Sequence, residues 1–151
     1  AVMDKINDND DYQKYGIEAN QLTTSMINEW GASGDISPEK GQEIINNNQV
    51  KINALIANGK GYLKAIDQAA PKEKLDDLPK EYGDYVAAIK ENIKISLNML
   101  TDLQAIQLNQ NETVDKVNKE YNQALMTAQK TISSAAIALN KVRGTEKQTD
   151  R

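Results

Sequence analysis

The chain has 151 residues, 18 Lys+Arg against 22 Asp+Glu, and no cysteine, histidine or phenylalanine. Those absences exclude a disulfide, a Cys/His zinc site, an iron–sulfur cluster, a His-ligated haem, a Ser-His-Asp or Cys-His triad and a Glu-x-x-His di-iron centre. The net charge of −4, with basic residues dispersed along the chain, lacks the basic stripe that phosphate-backbone binding needs, so no nucleic-acid partner is expected.

The first expected helix covers about residues 4–30. Tyr12, Tyr15, Ala19, Leu22, Met26 and Trp30 recur at steps of three and four, the period of one helix face. Its start is acidic, with Asp4, Asp8, Asp10 and Asp11, which complements the positive end of a helix. These aspartates do not form a calcium loop: starting from Asp8, the fifth and sixth positions are Tyr12 and Gln13, where a carboxylate or amide and a glycine are needed. Gly31 and Gly34 mark the loop that follows.

The second expected helix covers about 38–70. It opens on Ser37-Pro38-Glu39, a good N-cap, a proline at the first helical position and a first-turn carboxylate. Ile45, Ile52, Leu55, Gly59, Tyr62, Ile66 and Ala69 follow a heptad rhythm, with Asn48 in one core slot. A polar residue there either fixes helix register from the core or lies at the edge of the stripe. Asn58-Gly59-Lys60-Gly61 is the point where a break is expected if there is one, because two glycines cost a helix about 2 kcal/mol. The stripe keeps its phase across them, so the helix is read as continuous. The run is no phosphate loop, since Lys60 is followed by Gly61 and no strand precedes it.

A short helical turn is expected over 72–78, between Pro71 and Pro79. The third long helix covers about 80–108, with Tyr82, Val86, Ile89, Ile93, Leu97, Leu100, Leu103 and Ile106 on its buried face. Asn109-Gln110-Asn111 interrupts the pattern. The fourth covers about 112–143, with Val114, Val117, Tyr121, Leu125, Ala128, Ile132, Ala135, Leu139 and Val142, and Gly144 as its stop.

Four segments of matched length joined by short loops predict an all-α fold, an antiparallel up-down four-helix bundle forming one domain over 1–151. The alternative is a three-helix arrangement with one long C-terminal helix from Lys80 to Arg143, because Gln107 and Gln110 keep the heptad phase. Segment charges fit the bundle. Residues 1–35 carry −5, while 36–71 and 111–151 carry +1 and +2, so an acidic first helix would neighbour the two basic ones.

No carboxylate pair sits on an apolar face, and Glu18, Glu29, Glu43, Glu91 and Glu120 read as solvated flanks, so no enzyme and no cofactor or metal is expected. Tyr12, Tyr62, Tyr82 and Tyr121 fall on the stripes, and a buried tyrosine needs a hydroxyl partner. Together with Trp30 and Asn48 they are the candidate bundle-interior or ligand-facing residues. No apolar run reaches 18 residues, so no transmembrane segment is expected.

With 16 Asn and 11 Gln, the surface stays wet without charge. Lys outnumbers Arg 16 to 2, which fits AT-rich codons and a bacterial source. Absent cysteine fits an extracytoplasmic protein. The expectation is a non-catalytic, secreted or lipid-anchored helical binding module, monomer or homodimer, taking a protein or small-molecule ligand. The alternatives are a four-helix ligand-sensing ectodomain of a membrane receptor and a cytosolic adaptor or antidote protein. The Asn111-Glu112-Thr113 sequon carries no weight in a bacterial protein.

Overall fold

The computed structural model describes Ile6, residues 10–105 and residues 115–149, and these are all-helical, with no strand among them. In chain order they form α1 (Asp10–Ala32), α2 (Pro38–Asn47), α3 (Gln49–Ala69), α4 (Lys72–Asp76), α5 (Lys80–Ala105), a π-helical turn (Lys116–Tyr121) and α6 (Asn122–Thr149). Asp4 and Asp8, Ile106 to Val114 with Gln107 and Gln110, and the Asn111 sequon lie outside the described residues.

The turn from α1 to α2 is built from short polar side chains. Ser33 Oγ donates to the Trp30 carbonyl at 2.7 Å, satisfying a helix-end oxygen. Gly34 adopts φ +76°, the left-handed conformation that reverses the chain after a helix. The Ser37 amide donates to Asp35 Oδ1 at 3.0 Å, and the Lys40 amide donates to Ser37 Oγ at 3.2 Å, the N-cap bond expected from Ser37-Pro38-Glu39.

The second expected helix is interrupted, and the interruption is at Asn48 rather than at the glycines. Asn48 sits at φ −106°, ψ 9°, the sparsely allowed region between helix and strand. Its side-chain Nδ2 donates to the Ile44 carbonyl at 2.8 Å, and its amide is shared between the Ile44 and Ile45 carbonyls. This is the local competition that makes asparagine a poor helix-interior residue. Residues 58–61 stay helical because Gly59 is buried against another helix, and packing offsets the propensity deficit.

Three long helices, α1, α3 and α6, pack on α5, and the short α4 touches it as well. Lys90 Nζ meets Asp67 at 2.5 Å and Gln104 Nε2 donates to Gln49 at 3.0 Å, so α5 and α3 run antiparallel. Lys116 meets Asp102 at 2.9 Å near one end of α5, while Ala138 lines the same groove as Glu81 toward the other, so α6 also runs antiparallel to α5. This side-by-side packing excludes one straight helix from Lys80 to Arg143. On α1, Gln13 bonds Tyr85 and Gly16 lies against Asn92 and Ser96. The last helix packs along α5 and not along α1, so the charge match between the first and last segments does not mark an extended contact.

Having three neighbours widens the buried stripe of α5. Val86, Ile89, Ile93, Leu97, Leu100 and Leu103 are buried as the period predicts, and Tyr85, Ala88, Asn92, Ser96 and Met99 are buried as well. Ile6, Ile44, Ile52, Ile66, Leu125 and Leu139 join the same core, and each fully buried aliphatic side chain contributes roughly 1.5–3 kcal/mol. The helix α6 continues through Gly144 to Thr149, a glycine that an exposed helix tolerates at about 1 kcal/mol.

Candidate functional site

Three tyrosines meet where α1 crosses α3. Tyr12 and Tyr62 stand edge to face with ring centroids 5.4 Å apart, and Tyr15 and Tyr62 do the same at 5.7 Å. Such pairs are worth about 0.5–1.5 kcal/mol beyond their burial. Tyr15 is the deepest, 1% exposed, and its hydroxyl donates to the Leu55 carbonyl at 2.6 Å. Burial, with Tyr62 and Glu18 adding to it, raises the Tyr15 phenol well above its usual 10. The Tyr62 phenol is raised too, by burial first and then by Asp11, Glu18 and Tyr12.

Trp30 joins the end of α1 to the start of α2. Its Nε1 donates to the Ser37 carbonyl at 3.0 Å, and its ring packs so closely on Gly41 that a Cβ there would overlap the indole. Asn48 is half-buried, with its amide turned back to its own chain. Tyr82 is half-buried at the core margin. Tyr121 belongs to a separate group at the far end of α5, where its hydroxyl donates to Asp102 and Lys116 pairs with the same carboxylate. Of the six sequence-derived candidates, the structure brings together Tyr12 and Tyr62, and none of the six lines the grooves of α5 and α6 described below.

The Asp102 group surrounds the π-helical turn. Burial pushes the Asp102 carboxyl up, but the bonds from Lys116 and Tyr121 and the Lys116 charge hold it below the usual range. The Lys116 ammonium is raised by its bond to and charge from Asp102. The Tyr121 phenol is raised by burial first, then by Asp102 and Glu120.

Between α1 and α5 runs a polar seam. Thr23 and Ser96 are fully buried and return their hydroxyls to their own helices, at Ala19 O and Asn92 O. Asn20 Oδ1 and Asn92 Oδ1 are buried with no hydrogen-bond partner. Sequence reasoning missed this seam, since its residues are small and polar and read as solvent-facing.

Two open grooves lie along the pair α5 and α6. A groove of about 480 Å³ is floored by Ala88, Ala124 and Ala128 with Thr127 and Thr131 beside them. It shares Ala88, Glu91 and Thr131 with a second groove of about 620 Å³ that continues to Ala138. Glu81, Asp84, Glu91 and Glu120 line the two, and among the described residues no lysine or arginine does. Among the described residues no group of three potential metal ligands converges, and no helix is long and apolar enough to cross a membrane. No protein-family model, no curated protein and no solved structure matches this chain.

Proposed function

We propose that this chain is a non-catalytic helical binding module that works outside a bacterial cytoplasm, as a secreted or lipid-anchored protein. The observation that carries the binding reading is the continuous open groove of α5 and α6, a long shallow surface fitted to another macromolecule rather than an enclosed reaction chamber. The polar groups away from that groove hold the fold: Tyr15 on Leu55, Trp30 on Ser37, Tyr121 on Asp102. The alternating directions of α1, α3, α5 and α6 support an antiparallel up-down bundle as the frame. The extracytoplasmic setting rests on the absence of cysteine and the amide-rich composition.

The second reading is a ligand-sensing ectodomain of a membrane receptor. It is favoured by the start of α1, beside Tyr62 and Tyr85, lying at the same end of the molecule as Ala138 of α6, which lines a groove with Glu81. Mass spectrometry of the native N-terminus in fractionated source cells separates the readings. The first expects a chain in the medium or a lipid-modified cysteine upstream of Ala1. The second expects membrane-spanning segments on both sides. An unmodified chain found in the cytosol alone would overturn both and favour an adaptor or antidote protein.

A further inference from the structure

We infer that the groove of α5 and α6 docks one amphipathic helix of a partner protein, about four turns long, apolar on one face and flanked by lysines or arginines. The inference rests on the binding-module reading and adds the chemistry of the partner.

Four observations lead to that occupant. The first is length. The α5 wall runs from Glu81 to Ile95, about 21 Å at 1.5 Å per residue, or four helical turns. The second is relief. The floor is made of small side chains, Ala88, Ala124, Ala128 and Ala135, with Thr127 and Thr131 at its margin. Helix axes approach to 8–10 Å according to the side chains between them, so a small floor accepts large knobs such as leucine from the incoming helix. On α6 this stripe lies beside the one formed by Leu125, Ile132 and Leu139, which faces the core. On α5 the groove residues Glu91 and Ile95 occupy a different face from Asn92 and Ser96, which meet α1.

The third observation is charge. Glu81, Asp84, Glu91 and Glu120 line the groove, and among the described residues no cation does. Asp84 has a long contact to Lys80 at 3.9 Å, and Glu120 feels the Lys116 charge from the neighbouring turn. Glu91 lies at the junction of the two grooves with no ion pair to a described residue. Lysines or arginines at the edges of a docked helix would complete this arrangement, which is the helix-in-groove mode of recognition.

The fourth observation concerns a second copy of the chain. A two-fold dimer through this face would set the same carboxylates against each other, and like charges across an interface oppose it. The groove is therefore fitted to a different, basic chain.

The test uses the full chain and a synthetic 18-residue peptide of leucine and lysine, with leucines at helical spacing and capped ends. A second peptide carries glutamate in place of every lysine. Amide shifts in ¹⁵N-labelled protein locate the contact, and calorimetry gives the affinity. The expected result is one-to-one binding of the lysine peptide, with shifts grouped at Ala88, Glu91, Thr127 and Thr131, and no binding of the glutamate peptide. The double variant Glu91→Lys, Glu120→Lys should bind at least tenfold more weakly with an unchanged thermal midpoint, both positions being exposed. Thr131→Trp, which fills the groove from an exposed position, should weaken binding by a similar factor.

Shifts spread over the acidic surface of α1, or an affinity within twofold after charge reversal, would overturn the inference. So would a concentration-dependent dimer in sedimentation that Thr131→Trp abolishes, since the occupant would then be a second copy. Binding of the peptide at another surface removes the groove assignment and leaves the module reading intact. A cytosolic native chain removes the extracytoplasmic reading and leaves the groove result standing.

Discussion

The Tyr15 phenol occupies the space that Gly59 leaves on α3. A Cβ at residue 59 would stand 2.6 Å from Tyr15 Cζ and 2.8 Å from Leu97 Cδ2, closer than real Cβ contacts come. Gly59 is thus a point of close approach among α1, α3 and α5, and the absent side chain lets Tyr15 reach the Leu55 carbonyl one turn away.

Gly59→Ala and Gly61→Ala should therefore act in opposite directions. Alanine is the better helix former by about 1 kcal/mol. At residue 61 nothing lies within 4 Å of the new Cβ, so that gain appears as added stability. At residue 59 the Tyr15 ring must move, and overpacking costs roughly 1–3 kcal/mol and displaces the hydroxyl from its acceptor. Urea denaturation of the two variants checks this. Equal effects in the same direction would show that Tyr15 does not depend on the gap.

Tyr15 also sets an alkaline limit. Its folded phenol is raised above the unfolded value near 10, chiefly by burial. A raised group contributes stability that is complete below pH 10 and is lost as pH rises through the folded value. Thermal midpoints should fall above pH 10, with Tyr62 and Tyr85, both also raised by burial first, adding to the slope. Tyr15→Phe should lose about 1 kcal/mol at pH 7 with the Leu55 bond and show a shallower decline above pH 10. A decline as steep as in the parent would assign the alkaline limb to other groups.

The polar seam gives a contrasting case. Asn92 is 3% exposed and its Oδ1 has no partner, so burial leaves an acceptor unpaired, which costs about 1–3 kcal/mol. Leucine has the same number and branching of side-chain heavy atoms and no polar atom. Asn92→Leu should be neutral or up to about 1 kcal/mol more stable, whereas Ile93→Ala, one position away in the core, should lose about 2–5 kcal/mol. Calorimetric melting of both variants checks the pair. A marked loss in Asn92→Leu would mean that a water bonds the amide.

The helices themselves were legible because their signals are local. Ser37-Pro38-Glu39 starts α2 through the bond that its residue types predict, and the three-and-four spacing marks the buried face of α5. What was not legible depends on which helix lies beside which. Asn48 and Asn58-Gly59 both carry helix-weakening residues, and only the contact of Gly59 with Tyr15 decides that the break falls at Asn48. Tyr15 stands on the same stripe as Tyr12, but nothing in the spacing marks it as the residue that meets α3. Asn92 and Ser96 read as outward-facing until three neighbours surround α5. The alanines of α6 read as core, and the groove exists only once α5 and α6 are paired.

The Asp102, Lys116 and Tyr121 group fastens the π-helical turn at the start of the last helix to α5. The Asn122 amide bonds the Val117 carbonyl, which closes the wide turn and carries Tyr121 toward Asp102. A π-turn is an uncommon way to enter a helix, and here it places two donors on one carboxylate. Because the Asp102 carboxyl is held below the usual range, its contribution is present above about pH 4 and is lost as pH falls through the folded value. Tyr121→Phe should cost roughly 1 kcal/mol, since the pair is partly exposed and water weakens it. Asp102→Asn should be less stable than the parent at pH 7 and equal to it near pH 2. Hydrogen exchange should quicken in residues 116–122 of that variant while the amides around Ile93 stay protected. Parallel acid limbs for parent and variant, with no change in exchange at the turn, would show that the turn holds without the clamp.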